Sequence, residues 1–540
     1  MSADAVVIGA GHNGLVAANV LADAGWDVLV LEATAAPGGA VASGEITAPG
    51  YLSDLCSAFY PLSVVPGPLA DLGLADYGLC WEHAPDVLAH LLPDGRAAVL
   101  SRDLARTAAS VADFAPGDAT RWRAAYERWL PLSDRLVDVM LRPFPPVRGA
   151  VGLLRRARLS GSLRLARTAV LPVRRLGAEM FDGEGATLLM AGCALHADLS
   201  PDDAGSGLYG WLLAMLAQQY GFPVPAGGAS ALTDALVARL TARGGRIEYA
   251  APVSHVAVAH DRAVGVSTVD GRRFRARRSV VADVPAPALY LDLLDPRALP
   301  PRLLADITAF RWDGATVKVD WALSARVPWR NPALAGAGTV HLGGDLNGLA
   351  RYSTALACGE VPGEPFVVAG QMTTADPRRS PPGTEVVWAY THLPRRDAWP
   401  ADEVAAHAER VEQVMADAAP GFGRLVVGRH VAGPGDLERL NPSLVGGAIN
   451  GGTSAPYQQL FLRPVPGLGR ADTPVDRLFL ASASAHPGGG VHGAPGANAA
   501  RAALARDRAV TGRLYAAAVG AAHRAIHREA QPSGVRRGTH

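Results

Sequence analysis

Residues 5–32 read AVVIGAGHNGLVAANVLADAGWDVLVLE, and this stretch decides the fold. Ala5-Val6-Val7-Ile8 is an unbroken apolar run, as a buried strand requires. Gly9-Ala10-Gly11-His12-Asn13-Gly14 follows as a turn. Leu15 to Ala24 has helical character, Gly25 stops it, and Trp26 to Glu32 is the next strand. The glycines spell GxGxxG between a strand and a helix, the setting that motif needs. Gly9 allows the tight turn, Gly11 lets backbone approach a diphosphate, and Gly14 lets helix pack on strand. Ala10 and Asn13 belong to the same turn, whose amides and helix dipole favour an anion. Glu32 ends the second strand, where a carboxylate accepts a hydrogen bond from a ribose hydroxyl. The fingerprint binds a dinucleotide; by itself it does not separate NAD from FAD.

Working outward, the chain has 540 residues, 49% hydrophobic and 19% charged, which suits two or more domains and excludes global disorder. The 51 basic and 50 acidic residues nearly cancel, so a whole-chain nucleic-acid footprint is not expected. Among the basic residues there is one lysine, Lys318. The four cysteines, Cys56, Cys80, Cys193 and Cys358, lie far apart and form no CxxC pair. A dithiol redox centre and a zinc site therefore find no support, and no metal is expected. A reducing, cytoplasmic setting fits. The chain enters a strand at once, with no signal-peptide pattern. No run of about 20 apolar residues suggests a membrane span.

Ala36-Pro37-Gly38-Gly39-Ala40 follows soon after Glu32. With it, Ala5 to Ser43 resembles the FAD-binding start of the phytoene desaturase and amine oxidase superfamily. The resemblance implies FAD as cofactor and places Gly38 and Gly39 near its ribityl and phosphate portion. Many members carry Arg after the GG pair; Ala40 departs from that and is closer to the phytoene-desaturase-like branch. The fold implied is α/β (α+β overall). It comprises a discontinuous Rossmann-type FAD-binding domain of the glutathione-reductase-like kind and a mixed sheet-and-helix substrate domain. The expected division is 1–65, 225–285 and 441–507 for FAD, 66–224 and 286–440 for substrate, and 508–540 for a C-terminal helix and flexible tail.

Within the second FAD piece, a helix over Ala231 to Arg243 precedes strands at Arg246–Tyr249, Val253–Ala259, Ala263–Val269 and Arg273–Ala282. Asp270-Gly271 is a hairpin signal. The resemblance puts Val253 along the adenine; a plain sheet valine fits equally. In the third piece, Leu478–Ala481 is a strand. Ser482 to Gly493 is a glycine-rich turn, and Ala494 opens a helix to about Leu504 with Pro495 in its first turn. A flat isoalloxazine needs backbone close against it, hence Gly489, Gly490 and Val491. "HPGGGVHG" matches the family turn beside the flavin. Ser484 stands near the place where many flavoproteins have an acid. His492 is either a general base, a hydrogen-bond donor to the flavin, or a histidine that satisfies local backbone. The last reading suits His486 better.

Trp312 to Ser324 alternates as a strand, and the family carries a lysine on a comparable strand. Lys318 is thus either a polar group near flavin N5 or a solvated strand lysine. "TVKVDWAL", "GQMTTADPRRSPPG", "WAYTHLP", "NPSLVGGAINGG" and "FLRPVPGLG" resemble a narrower branch whose name mentions pyridine nucleotide-disulfide oxidoreductases. Leu141 to Ala178 holds nine Arg and no acid among Leu, Val and Pro. That segment is either a solvated helical face, the plainer reading, or a basic amphipathic contact with a membrane surface.

These features imply an FAD-dependent dehydrogenase or desaturase of a hydrophobic small molecule, an isoprenoid, lipid or secondary metabolite. Lys318 and His492 are the catalytic candidates, and oxygen or a quinone is the electron acceptor. A redox-neutral isomerase, a saturase, an amine oxidase and a catalytically quiet flavin-bound scaffold are the competing readings. Similar scaffolds carry many reactions. Neither the substrate nor the oligomeric state follows from the sequence.

Overall fold

The computed structural model describes residues 1–527. Strand β1, Ser2–Ile8, lies at the centre of a seven-stranded sheet and pairs in parallel with β2, Val28–Leu31, and with Arg273–Ala282. Ala5, Val6, Val7 and Ile8 are all buried, which an unbroken apolar run achieves only with both sheet faces covered. Arg246–Glu248 extends the sheet beside β2, and Leu478–Leu480 pairs in parallel with Arg273–Ala282. The strands Val253–Ala259 and Arg262–Thr268 complete it as antiparallel neighbours. One α/β sheet thus gathers strands from three distant parts of the chain.

Helix α1, His12–Asp23, begins inside the glycine turn rather than at Leu15, because its first turn springs directly from Gly11. Helices Ser230–Ala242 and Ala494–Asp507 pack beside it. Sequence reading ends the helix that opens at Ala494 near Leu504 and expects one more from about Ala505 to about Ala530. The first runs on to Asp507, the chain turns at Arg508, which is extended, and the further helix covers Thr511–Ile526. The expected flexible tail lies outside the described residues.

The second seven-stranded sheet is largely antiparallel. Its order is Val426–Ala432, Ala315–Leu323, Glu385–Leu393, Val367–Gln371, Ala337–Leu342, Asp86–Leu91 and Ala97–Leu100. Val317, Val319 and Trp321 turn one face toward Val411 and Met415 of helix Ala401–Ala418. The opposite face is covered partly by helices Glu184–Leu195 and Ser206–Tyr220. Period-two alternation along Ala315–Leu323 sorts Thr316, Lys318 and Asp320 onto that opposite face.

Candidate active site

The GxGxxG turn is as tight as its glycines demand. Gly9 sits at φ +92, and a Cβ on Gly14 would lie 2.2 Å from the Gly9 carbonyl oxygen. The GG pair runs alongside: the Gly38 N–H donates to the Ala10 carbonyl at 2.8 Å, and a Cβ on Gly39 would lie 3.5 Å from Gly11 Cα. Glu32 accepts from the Ala10 N–H at 2.7 Å and from the Thr34 N–H and hydroxyl at 2.8 Å. Ala251 donates to the Glu32 carbonyl, which brings Val253, at the start of its strand, to the same end of the sheet. The Ala40 carbonyl accepts from Ser57. The first N–H groups of α1 have no intrahelical acceptor. Asn13 Oδ1 and His12 Nε2 are buried with no partner among the described residues. The free first-turn N–H groups suit a diphosphate and the two orphaned atoms call for further polar partners, so the glycine cradle fits a dinucleotide such as FAD.

Asp283 follows the strand Arg273–Ala282 and sits over this turn, a residue the sequence reading did not single out. Its Oδ2 accepts the Gly14 N–H at 2.7 Å, and a Cβ on Gly11 would lie 2.8 Å from the same oxygen. Burial pushes the carboxyl up to about 7, against the Gly14 hydrogen bond, and nearby Glu32 adds to the rise. A signal existed: like Glu32, Asp283 is an acid just past the end of a strand flanking the fingerprint.

The second glycine-rich turn closes on the first. Gly488, Gly490 and Gly493 all have positive φ, and a Cβ on Gly496 would lie 1.9 Å from the Asn13 carbonyl. Helix Ala494–Asp507 therefore crosses α1 at glycine contact distance. Beneath the turn, residues 449–453 are held from both sides. Asp313 accepts the N–H groups of Ile449, Asn450 and Gly452 at 2.7–2.8 Å. The fully buried Arg463 donates to the carbonyls of Asn450, Gly451, Gly452, Thr453 and Ala483. Ser484 Oγ donates to Gly451 O at 3.2 Å, and Gly489 lies against Asn450. The stretches "NPSLVGGAINGG" and "FLRPVPGLG" thus build the floor under the turn. The Val491 carbonyl is tied to Ser63 Oγ at 2.5 Å.

His492 differs from the general base that the sequence admitted. Its Nδ1 accepts the Ala494 N–H at 3.1 Å, so Nε2 carries the proton and donates to Gly489 O at 3.2 Å. Burial lowers its pKa to about 3, and both ring nitrogens are spent on backbone. It caps the helix and shapes the turn. His486 Nε2 contacts the Arg142 carbonyl at 3.0 Å.

Lys318 is not a solvated lysine either, being 4% exposed. Its Nζ reaches both oxygens of Asp320 at 2.5 Å, on the same strand face. Tyr390 stands cross-strand from Lys318, and Trp388 stacks on Tyr390 with ring centroids 6.0 Å apart. His392 continues this wall; its Nε2 meets Asp198 at 2.9 Å and its Nδ1 meets Thr316 Oγ1 at 3.2 Å. Burial disfavours the His392 cation, but Asp198 outweighs it and raises the pKa. Residues 56–63 join this wall to the second glycine-rich turn. The part-buried Cys56 thiol, pushed by desolvation up to about 11, feels both Lys318 and Asp320. Phe59 packs on Trp388 at 6.1 Å, and Leu62 lies against Gly490. Sequence reading missed the aromatic wall and Asp320, although Asp320 lies two residues from Lys318 in an alternating strand.

The four cysteines are free and scattered. A family model described as flavin containing amine oxidoreductase matches residues 14–504. The mouse protein "Pyridine nucleotide-disulfide oxidoreductase domain-containing protein 2" is 30% identical over 543 residues, covering 92% of this chain and 92% of the mouse protein. "Phytoene desaturase (neurosporene-forming)" of Cereibacter sphaeroides is 26% identical over 543 residues, covering 93% of this chain and 94% of that protein. The crystal structure of an oxidoreductase from Methanosarcina mazei has a TM-score of 0.61 at 17% identity, covering 93% of this chain and 100% of that one.

Proposed function

Since the chain belongs to the flavin containing amine oxidoreductase family and is an FAD-dependent oxidoreductase, we propose that it is a dehydrogenase or desaturase of a hydrophobic small molecule. Isoprenoids, lipids and apolar secondary metabolites are the substrate classes. One arrangement carries this assignment: the buried Lys318–Asp320 pair, set in an aromatic wall and tied through residues 56–63 to the glycine cradle. FAD, when bound, supplies the hydride acceptor at its N5.

The chain's residues divide the remaining work. Gly9, Ala10, Gly11, Asn13, Gly14 and Glu32 hold the diphosphate and ribose. Gly38, Gly39, Ala40, Val253, Ser484, Gly489, Gly490 and Val491 line the rest of the cofactor seat. Trp388 and Tyr390 offer apolar faces that exclude water from the substrate. Lys318 has three N–H donors, and Asp320 takes two, so one remains to hold a water at the reacting centre. We assign residues 1–65, 225–285 and 441–507 to the cofactor side and the second sheet to the substrate side. Oxygen or a quinone is the acceptor we favour: Gly488, Gly490 and Gly493 also spell GxGxxG, but this turn leads through its helix into another helix, Thr511–Ile526, rather than into a strand.

Peripheral membrane contact belongs to the same proposal. No helix among the described residues is long and apolar enough to cross a membrane. Helix Val147–Thr168 nevertheless buries only Gly149 and exposes Val147, Leu154, Leu159 and Leu163 among its arginines.

Anaerobic mixing of the oxidised protein with isoprenoids, unsaturated lipids and amines, followed by flavin absorbance, tests the assignment. Bleaching by an apolar non-amine, with turnover lost in Lys318→Met, is the expected result. Bleaching only by amines makes the protein an amine oxidase. Turnover only after prior reduction makes it an isomerase or saturase.

A further inference from the structure

Two acids end strands around one anion-binding turn. Glu32 closes β2 and is bonded to the Ala10 N–H and Thr34. Asp283 lies on the other side of β1, past the strand Arg273–Ala282, and occupies the mouth of α1. Its carboxylate holds the Gly14 N–H at 2.7 Å and abuts the face where Gly9 and Gly11 lack a Cβ. Its own N–H is bonded to the Ile8 carbonyl at 2.8 Å, so it is fixed to β1 and cannot swing away with a mobile loop.

The same helix mouth must receive the diphosphate of FAD, which carries two negative charges. An ionised Asp283 beside it would face that diphosphate in a poorly solvated place. The charged residue acting on Asp283 is Glu32, itself an acid. On the helix side, His12 opens α1, and burial holds its imidazole neutral by lowering its pKa to about 4. Asn13 and Gly14 carry no charge. The Gly14 N–H favours the anion in part, but no cation among these contacts compensates a second negative charge. A protonated carboxyl removes the conflict: its carbonyl oxygen still accepts from Gly14, and its O–H becomes a donor toward a phosphate oxygen.

We propose that Asp283 is the proton-binding element of the FAD seat, neutral when the dinucleotide is bound, so that FAD binding takes up a proton. The idea rests on the dinucleotide lying at the GxGxxG turn. Burial and Glu32 already bring the carboxyl to about 7 before any phosphate is present. In the ligand-free chain the residue remains partly open to solvent although protein surrounds it, so a bound cofactor would desolvate it further. The phosphate charge acts in the same direction. The sign of the linkage follows. Below about pH 7 the proton is already present and affinity is level. Above it a proton must be bound with each FAD, and affinity falls by up to about tenfold per pH unit until the pKa of the complex is reached.

The test uses flavin-stripped protein titrated with FAD from about pH 6 to about pH 9. Isothermal calorimetry near pH 8, in buffers of different ionisation heat, counts the protons. The wild type should weaken with rising pH and take up close to one proton per FAD. Asp283→Asn keeps the acceptor for Gly14 without the titration; its affinity should be flat and should exceed that of the wild type at the alkaline end. A wild type with level affinity and no proton uptake overturns the proposal, and so does a variant that keeps the wild-type slope. The wild-type calorimetry decides alone if the variant does not fold. Failure to bind FAD at any pH would overturn the seat and the proton together.

Discussion

At the scale of single residues, the role proposed for Lys318 at the reacting centre can be separated by experiment from its structural one. It neutralises a buried Asp320, whose pKa burial raises and Lys318 pulls back. Removing one partner of a buried pair costs about 3–5 kcal/mol, because the other charge is stranded, whereas replacing both with apolar groups is often neutral. Lys318→Met should therefore lower stability in urea, and Lys318→Met with Asp320→Leu should restore most of it. Turnover should stay lost in both. Recovered turnover in the double variant would reduce the pair to a structural filler. Legibility varied among such residues for physical reasons. Lys318 stands out as the only lysine, on an alternating strand, and its burial follows from a sheet covered on both faces. The fate of His492 depends on where two backbone groups lie in space, which no local pattern encodes. Asp283 escapes notice because its partner, Gly14, is 269 residues away.

At the scale of elements, the stretch "GQMTTADPRRSPPG" owes its make-up to a buried ion cluster. Arg379 is fully buried and pairs with Asp54 at 2.8 Å and with Asp376 at 3.4 Å. Asp54 also accepts from the Ala229 N–H and Ser43 Oγ, while Asp376 accepts the Gly227 N–H. One guanidinium thus ties the segment behind the GG pair to the start of residues 225–285, the stretch proposed as the second part of the cofactor side. Arg379→Leu leaves two buried carboxylates short of a cation and should cost about 3–5 kcal/mol in denaturant, with reduced flavin content. Arg378→Ala, at a side chain 55% exposed, should cost about 1 kcal/mol or less. Equal losses for the two would mean that the cluster does not hold these pieces together. The sequence showed that this stretch was distinctive; it could not show why, since Asp54 and Arg379 are 325 residues apart. The central strand, the glycine turn and the helix after it were legible because each is local, periodic and punctuated by glycine. The second sheet was legible only strand by strand, because its order joins residues 86–100 to residues 315–432 across two intervening helical regions.

Across the whole molecule, the apolar substrate proposed above would have to reach the buried aromatic wall from an environment in which it dissolves. Helix Val147–Thr168 presents several large apolar side chains to the exterior. Leu159 is 77% exposed, and Leu154, Leu163 and Val147 are exposed on the same helix. The helix bends at Arg158, which has φ 57, so its apolar side chains spread over a broad face. Arg142, Arg167, Arg174 and Arg175 pair with Asp138, Glu179 and Asp202. Arg148, Arg155, Arg158 and Arg164 have no ion pair among the described residues, which leaves a basic, apolar-edged face. Such a surface binds anionic lipid through both apolar burial and charge. Each basic residue near an anionic membrane contributes about 1 kcal/mol, so changing these four to Gln should weaken binding to anionic vesicles on the order of a hundredfold or more at low salt. Co-sedimentation with phosphatidylglycerol vesicles reads the effect, and uncharged phosphatidylcholine vesicles supply the comparison. Leu159→Ser should weaken binding to the anionic vesicles with less dependence on salt, since it removes apolar burial rather than charge. Wild-type protein that ignores anionic vesicles would leave this face as solvated surface, the plainer of the two readings its composition allowed. If the wild type binds and the quadruple variant keeps soluble-substrate turnover but loses turnover of vesicle-borne substrate, the helix is the route by which substrate leaves the lipid.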